Sequence, residues 1–271
     1  MADYALRGNP PADSSRDQRR GARNAIRWIV VVVCIVLAGE ILYHTVVTKH
    51  VVITKVMIDS TAPVSDGELK DLAGLAERAS YFGLDPVAVA ARLEDHPAVK
   101  SAAARKVFPD TVQLTVTGRR PLVISFASVG EQDLPVAIDE DGVAFQLYRD
   151  IETWNLPVIS GIRFQDFSLG TRLPENLVAV LAQLHDLRLG APTLFEQISE
   201  VRVSGAAGDA VELLVYPVGY GVPVRIEDEL DASLVRYIIM VLDMFEREGR
   251  LQNIRELDFR GGQIVFRAQE E

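Results

Sequence analysis

The residues best suited to proton transfer or metal binding are four histidines, His44, His50, His96 and His185, and they are scattered along the chain. A zinc site or a catalytic triad built from them would have to recruit partners from distant segments, and neither G-x-S-x-G nor H-E-x-x-H occurs. Three carboxylate groups invite a different chemistry. Asp139-Glu140-Asp141, Glu227-Asp228-Glu229 and Glu270-Glu271 offer the acid and nucleophile of a glycosidase. The first lies at an expected turn, the second at an expected helix start and the third at the chain end, so solvated charge is the simpler reading of all three. The stretch "GYGVPV", residues 219–224, has two glycines but no third and opens no helix, which suits a hairpin or bend rather than a dinucleotide site. The single Cys34 excludes an intramolecular disulfide, a cysteine-rich metal site and a cysteine redox pair. No catalytic, metal or cofactor residues are assigned.

The elements that must carry any function begin with a charge step. Six arginines against three aspartates precede Trp28 and give that segment +3, so with the whole chain at −10 the remainder carries −13. An acidic body of this kind excludes nucleic acid, whose phosphates need a basic face. The run "WIVVVVCIVLAGEILYHTVV", residues 28–47, matches the roughly 20 residues that span a bilayer core. With the arginines on its N-terminal side, the positive-inside rule keeps residues 1–27 in the cytoplasm and exports everything after the span, a single-pass type II topology. The polar, proline-containing 1–27 segment reads as a disordered tail. A cleavable signal with its apolar core at 28–38, cut before Gly39, is the competing reading. Glu40 and His44 share one helix face, which suits either the far interface or a partner helix.

Beyond the membrane, "VVITKVMID", residues 51–59, reads as a strand. Ser65 with Glu68 forms a capping box, and apolar residues at helical spacing predict a helix over 66–80. Asp85 as N-cap, Pro86 in the first turn and the His96-Pro97 stop predict a second helix. "AVKSAAARKV" and "TVQLTVTG" then supply two strands joined at "FPDT". The order is β-α-α-β-β, in which two helices cover one face of a small sheet.

This order, with "PAVKSAAARKVFPDTVQLTVTGRRP", resembles a POTRA domain, specifically that of the FtsQ/DivIB family of bitopic bacterial division proteins. The matching residues are Pro97 and Val99, Arg105 and Lys106, Phe108 and Pro109, then Arg119, Arg120 and Pro121. Ala98 and Gly118 depart from the pattern, standing where the family carries an aromatic and an acidic residue. The second half extends the resemblance. "PVAIDEDGVAFQL" reads as a hairpin around Asp141-Gly142 and is followed by "LPVISG", similar to the start of the second FtsQ domain. "PENLVAVLAQLHDLRL" is an amphipathic helix with Leu177, Leu181, Leu184 and Leu187 on one stripe. Strands "ISEVRVS", "AVELLVYP" and "GYGVPVRI" come next. "EDELDASLVRYIIMVLDMFEREG" predicts a long helix with an acidic first turn, before the closing "IRELDFRGGQIVFR".

The resulting expectation is an α+β chain: tail 1–27, transmembrane helix 28–47, POTRA domain 51–122, and a mostly antiparallel β domain with two helices at 123–271. The resemblance implies a non-catalytic scaffold of the bacterial divisome in the inner membrane, concentrated at the division septum. Implied partners are FtsB-like and FtsL-like coiled-coil membrane proteins, with other divisome proteins meeting the POTRA domain. It places partner binding at Arg260, Gly261, Gly262, Gln263, Val265 and Phe266 near the C-terminal strand, and at Arg105 and Lys106 on the second POTRA strand. The alternatives are a membrane-anchored envelope enzyme acting on the cell wall, or a POTRA-bearing translocation component.

Overall fold

A computed structural model describes residues 14–42, 51–75, 79–129, 132–147, 155–162, 164, 167–207, 210–227, 229–262 and 264–268. Helix α1 (Ser14–Leu42) carries 29 residues and begins within the segment read as the tail. Its apolar side chains from Trp28 to Ile41 are exposed. Among the described residues no helix is both long and apolar enough to cross a membrane. The expected span runs to residue 47, and its last part, 43–47, lies outside the described residues together with His44.

The first folded unit is a three-stranded sheet under two short helices: β1 (Lys55–Ser60), α2 (Asp66–Leu72), α3 (Pro86–Glu94), β2 (Val99–Val107) and β3 (Thr111–Gly118). The strand order is β1-β3-β2, with β1 parallel and β2 antiparallel to β3. Both N-caps form, and of the predicted capping box the Ser65 half is present. Ser65 Oγ accepts from Glu68 N–H at 3.3 Å, and Asp85 Oδ1 accepts from Val87 N–H at 2.9 Å with Pro86 in the first turn. Leu69, Val89 and Leu93 bury against Val112, Leu114 and Val116 of β3, and the small Ala102 and Ala104 of β2 complete that face. The helix expected over 66–80 stops at Leu72. Gly74, at φ +65°, turns the chain out of the helix. Ala79 and Ser80 then pair with the entry segment: the Ala79 carbonyl accepts from Ile53 N–H at 2.9 Å, and Ser80 bridges Val52. Residues 76–78 of the expected helix lie outside the described residues.

The second unit is a nine-stranded sheet in the order β12-β11-β10-β9-β8-β7-β4-β5-β6. Its strands are β4 (Val123–Val129), β5 (Gln132–Ile138), β6 (Ala144–Leu147), β7 (Val158–Ser160), β8 (Ile198–Ala207), β9 (Ala210–Pro217), β10 (Val224–Ile226), β11 (Ile254–Asp258) and β12 (Val265–Ala268). Most neighbours are antiparallel; β4/β7, β7/β8 and β10/β11 are parallel. Helices α4 (Glu175–Gly190), the short α5 (Pro192–Phe195) and α6 (Ala232–Arg247) connect the strands. The leucine stripe 177, 181, 184 and 187 of α4 is buried as its spacing predicts, and Val235, Ile238, Val241, Leu242 and Phe245 of α6 join it against the sheet. Helix α6 starts later than "EDE" suggests. Asp231 Oδ1 accepts from Leu234 N–H at 2.7 Å and caps it, so Glu227 and Glu229 precede the first turn rather than occupy it; Asp228 lies outside the described residues.

The two units meet at a packed junction. Ala98, just before β2, packs with Ala137, Val143, Phe145 and Val64, so the departure from an aromatic lets the two sheets approach. Gly118 serves a contact within the first unit instead: an added Cβ would stand 2.4 Å from Ala62 Cα and 2.7 Å from the Thr61 carbonyl oxygen, where the chain leaving β1 passes the end of β3. A set of ions locks the junction. Arg119 Nη1 lies 2.5 Å from Asp139 Oδ2 and 3.3 Å from Asp141, while its Nε donates to the Pro97 carbonyl at 3.1 Å. Lys100 Nζ sits 2.5 Å from Glu140 and 3.2 Å from Asp141. Asp139 is therefore not solvated charge, being 0% exposed and also accepting from Val143 N–H at 2.8 Å, whereas the Asp141 side chain stays 40% exposed. Burial pushes the Asp139 carboxyl up, against the opposing pull of Arg119 and the Val143 N–H.

Candidate functional site

The last strand stands at one edge of the large sheet. Strand β12 pairs antiparallel with β11 in the register Val265 opposite Asp258, Phe266 opposite Leu257 and Arg267 opposite Glu256. Every residue from Val265 to Ala268 is exposed, and among the described residues nothing pairs with the outer side of this strand. Strand alternation places Phe266 on the helix-covered face and Val265 on the other. Phe266 is 50% exposed and sets one edge of its ring against Phe245 of α6, with centroids 6.5 Å apart. It is thus half anchored in the fold and half presented to solvent. Gly261 takes φ +74° just before the strand, a conformation that favours glycine. The Gly262 backbone completes the same short turn, while Gln263 lies outside the described residues.

Arg260 is already engaged. Its guanidinium forks onto Asp258 at 3.0 and 2.7 Å and reaches Glu212 Oε1 at 2.6 Å. Arg225 links the next strands, bonding Glu256 at 2.7 and 3.2 Å and Glu212 at 3.0 Å. These charges cross-link β9, β10 and β11 on the face of the sheet opposite the helices, behind the open edge. Arg225 holds the Glu256 carboxyl below its usual range, and Arg260 does the same for Asp258. Sequence reading found Arg260 but missed this network; the alternation of acidic and apolar residues in "VELLV" and "IRELD" was the available signal. At the foot of α6, Tyr220 hydrogen-bonds Asp243, which pushes the phenol up to about 12.

The smaller sheet has its own edge at β2. Arg105 is exposed there, whereas Lys106 is half-buried, with Nζ 3.4 Å from the Phe82 carbonyl oxygen and 5.6 Å from the Tyr81 ring centroid. Glu94 Oε1 accepts from Ala102 N–H at 2.9 Å and covers one outward donor of the strand. Such a cover protects an edge from indiscriminate pairing. Arg105 and Lys106 thus share an edge but not an environment, and this edge lies on a different sheet from Arg260 and Phe266. Among the described residues no cluster of His, Cys, Asp and Glu is arranged to hold a metal.

Residues 52–119 match the family model described as "POTRA domain, FtsQ-type". The chain is 25% identical over 215 residues to the cell division protein FtsQ of Syntrophotalea carbinolica, covering 78% of this chain and 71% of that protein. It is 29% identical over 164 residues to the protein of the same name in a Geobacter species, covering 60% and 57%. The Anaeromyxobacter protein of that name is 26% identical over 210 residues, with 77% and 68% covered.

Proposed function

Because the chain belongs to the FtsQ family of cell division proteins, with its POTRA domain, we propose that it is a non-catalytic scaffold of the divisome. On this reading residues 28–47 cross the inner membrane with residues 1–27 in the cytoplasm, and the two sheets stand on the outer side at the septum. The apolar run and the arginines before it support that topology. Strand β12 receives an extended segment of an FtsB-like protein together with its FtsL-like companion, and this assembly helps control septal peptidoglycan synthesis. The POTRA domain meets other division proteins.

The observation that carries the reading is the open edge of β12, with Val265 and Phe266 more or less half exposed on its two faces. An added strand gains main-chain hydrogen bonds, and alternate side chains set its specificity. Phe266 offers the anchor, and the bound Arg225 and Arg260 keep β11 rigid behind it. The test is pull-down of the FtsB-like partner by the full-length chain. Val265→Pro and truncation after Gly261 are expected to lose binding, and Val265→Ala to retain more than Val265→Pro, since proline removes a backbone donor. Arg260→Glu is a poorer probe, because it also breaks the contacts with Asp258 and Glu212. Full binding by folded Val265→Pro, with folding checked by circular dichroism, would move the partner site away from β12.

A further inference from the structure

Between the two sheets, on the side away from β12, lies a cleft of about 360 Å³ lined by residues that include Lys100, Arg120, Glu140, His185, Arg188 and Leu189. Both units contribute: Lys100 comes from β2, Glu140 from the β5–β6 turn, and His185, Arg188 and Leu189 from the end of α4. The charges do not cancel. Glu140 is the lone carboxylate of the lining and pairs with Lys100 at 2.5 Å; Lys100 also reaches Asp141, outside the lining, at 3.2 Å, and Arg119 shares Asp141 at 3.3 Å. Arg188 has no carboxylate partner among the described residues: Nη1 donates to the neutral Pro121 carbonyl at 2.7 Å, and the guanidinium lies 5.7 Å from the Phe195 ring centroid. The Arg120 side chain is exposed, and among the described residues neither it nor the half-buried His185 has a hydrogen-bond or ion-pair partner. Beside these cations Leu189 is 71% exposed, and buried Leu122 belongs to the lining.

We infer that this junction cleft is a docking site for an acidic peptide segment of a partner protein, its carboxylates meeting Arg120 and Arg188 and an apolar side chain covering Leu189. Two features select this occupant. In a body that carries −13 after the first 27 residues, two arginines in one cleft without a carboxylate partner among the described residues are a local reversal of sign, which steers carboxylates to it. The exposed leucine next to them has no use for a bare anion, whereas a peptide presents charge and hydrocarbon together. Arginine forks fit carboxylates bidentately, and the volume lies within the range of ligand clefts. Because both units line the cleft, a bound peptide would bridge them. The inference uses neither β12 nor its partner, so either can fail without the other.

The test uses the full-length chain in lipid nanodiscs, titrated calorimetrically with an N-acetylated Glu-Leu-Glu-Leu-Glu amide, with the Lys-Leu-Lys-Leu-Lys counterpart and with inorganic phosphate. Saturable binding of the acidic peptide is expected, with slowed hydrogen exchange at residues 117–122 and 185–190 and none of either with the basic peptide. Arg120→Glu, which breaks no internal contact, should weaken that binding about tenfold, equivalent to one decade of affinity, while Arg250→Glu on a remote helix end leaves it unchanged. Leu189→Ser should weaken the peptide but not phosphate. Unchanged affinity in Arg120→Glu, protection elsewhere in the chain, or phosphate binding as tight as the peptide's would each overturn the proposal.

Discussion

Arg119 Nη1 and Asp139 Oδ2 stand 2.5 Å apart across the junction of the two sheets, with the arginine side chain 14% exposed and the aspartate fully buried. Removing one partner from such a pair leaves a charge with neither water nor counterion. Arg119→Met is therefore expected to cost about 3–5 kcal/mol, whereas the double variant Arg119→Met/Asp139→Leu should recover most of that loss. Urea unfolding of the full-length chain in detergent measures both. A single-variant cost below about 1 kcal/mol, the range of an exposed pair, would mean that the junction is solvated in solution.

The two basic residues of β2 should separate when mutated. Arg105 is exposed, so Arg105→Glu is expected to change stability by no more than about 0.5 kcal/mol. Lys106 sits over Tyr81 and near the Phe82 carbonyl, so Lys106→Glu should cost roughly 1 kcal/mol through the lost cation–π contact. Thermal unfolding distinguishes them. Arg105→Glu is accordingly the cleaner variant for asking whether β2 recruits a partner, since lost septal localisation with unchanged stability would speak to recruitment alone.

Gly118 and Gly161 are expected to resist alanine for different reasons. At Gly118 a Cβ would meet backbone, Ala62 Cα at 2.4 Å. At Gly161 the backbone holds φ +79° and a Cβ would meet the Val203 carbonyl oxygen at 2.2 Å. Backbone cannot give way as a flexible side chain does, so each substitution should cost about 1–3 kcal/mol. Gly67→Ala, where nothing lies within 4 Å of the added Cβ, is the control and should be neutral or stabilising within α2. Loss of stability in the control rather than in the other two would reverse the assignment.

What the sequence made legible was chiefly local. Ser65, Asp85 with Pro86, and Asp141-Gly142 are signals whose partners lie within four residues, and each forms the cap or turn its chemistry predicts. The helix over 66–80 failed in two places: Gly74, at φ +65°, turns the chain out after Leu72, and Ala79 and Ser80 pair instead with Ile53 and Val52, which lie more than twenty residues away. The same holds for Asp139. Nothing local tells a buried aspartate from a solvated one; its burial depends on Arg119 reaching it from the preceding sheet. At the candidate edge, the glycine at 261 and the aromatic at 266 were readable, but the engagement of Arg260 by Glu212 crosses forty-eight positions and is a property of sheet order alone.

The charge network behind β12 should make the C-terminal strands sensitive to acid. Glu256 is lowered from 4.5 chiefly by its hydrogen bonds with Arg225, and Asp258 from 3.8 chiefly by those with Arg260. A carboxyl whose folded value is depressed contributes stability above its unfolded value and loses it as pH falls through the folded one. Stability from these two groups is therefore complete at neutral pH, begins to fade as the pH drops past about 4.5, and is gone once both are protonated. Asp139 has the opposite sign, because burial raises it, and it takes up a proton more readily in the folded chain. Melting temperatures of the full-length chain from pH 7 to pH 3 should fall for the native protein. Arg225→Met, already weaker at pH 7, should show a shallower fall in that window, because Glu256 then titrates nearer its ordinary value. Parallel curves for the two proteins would show that the contact with Arg225 does not shift Glu256 in solution.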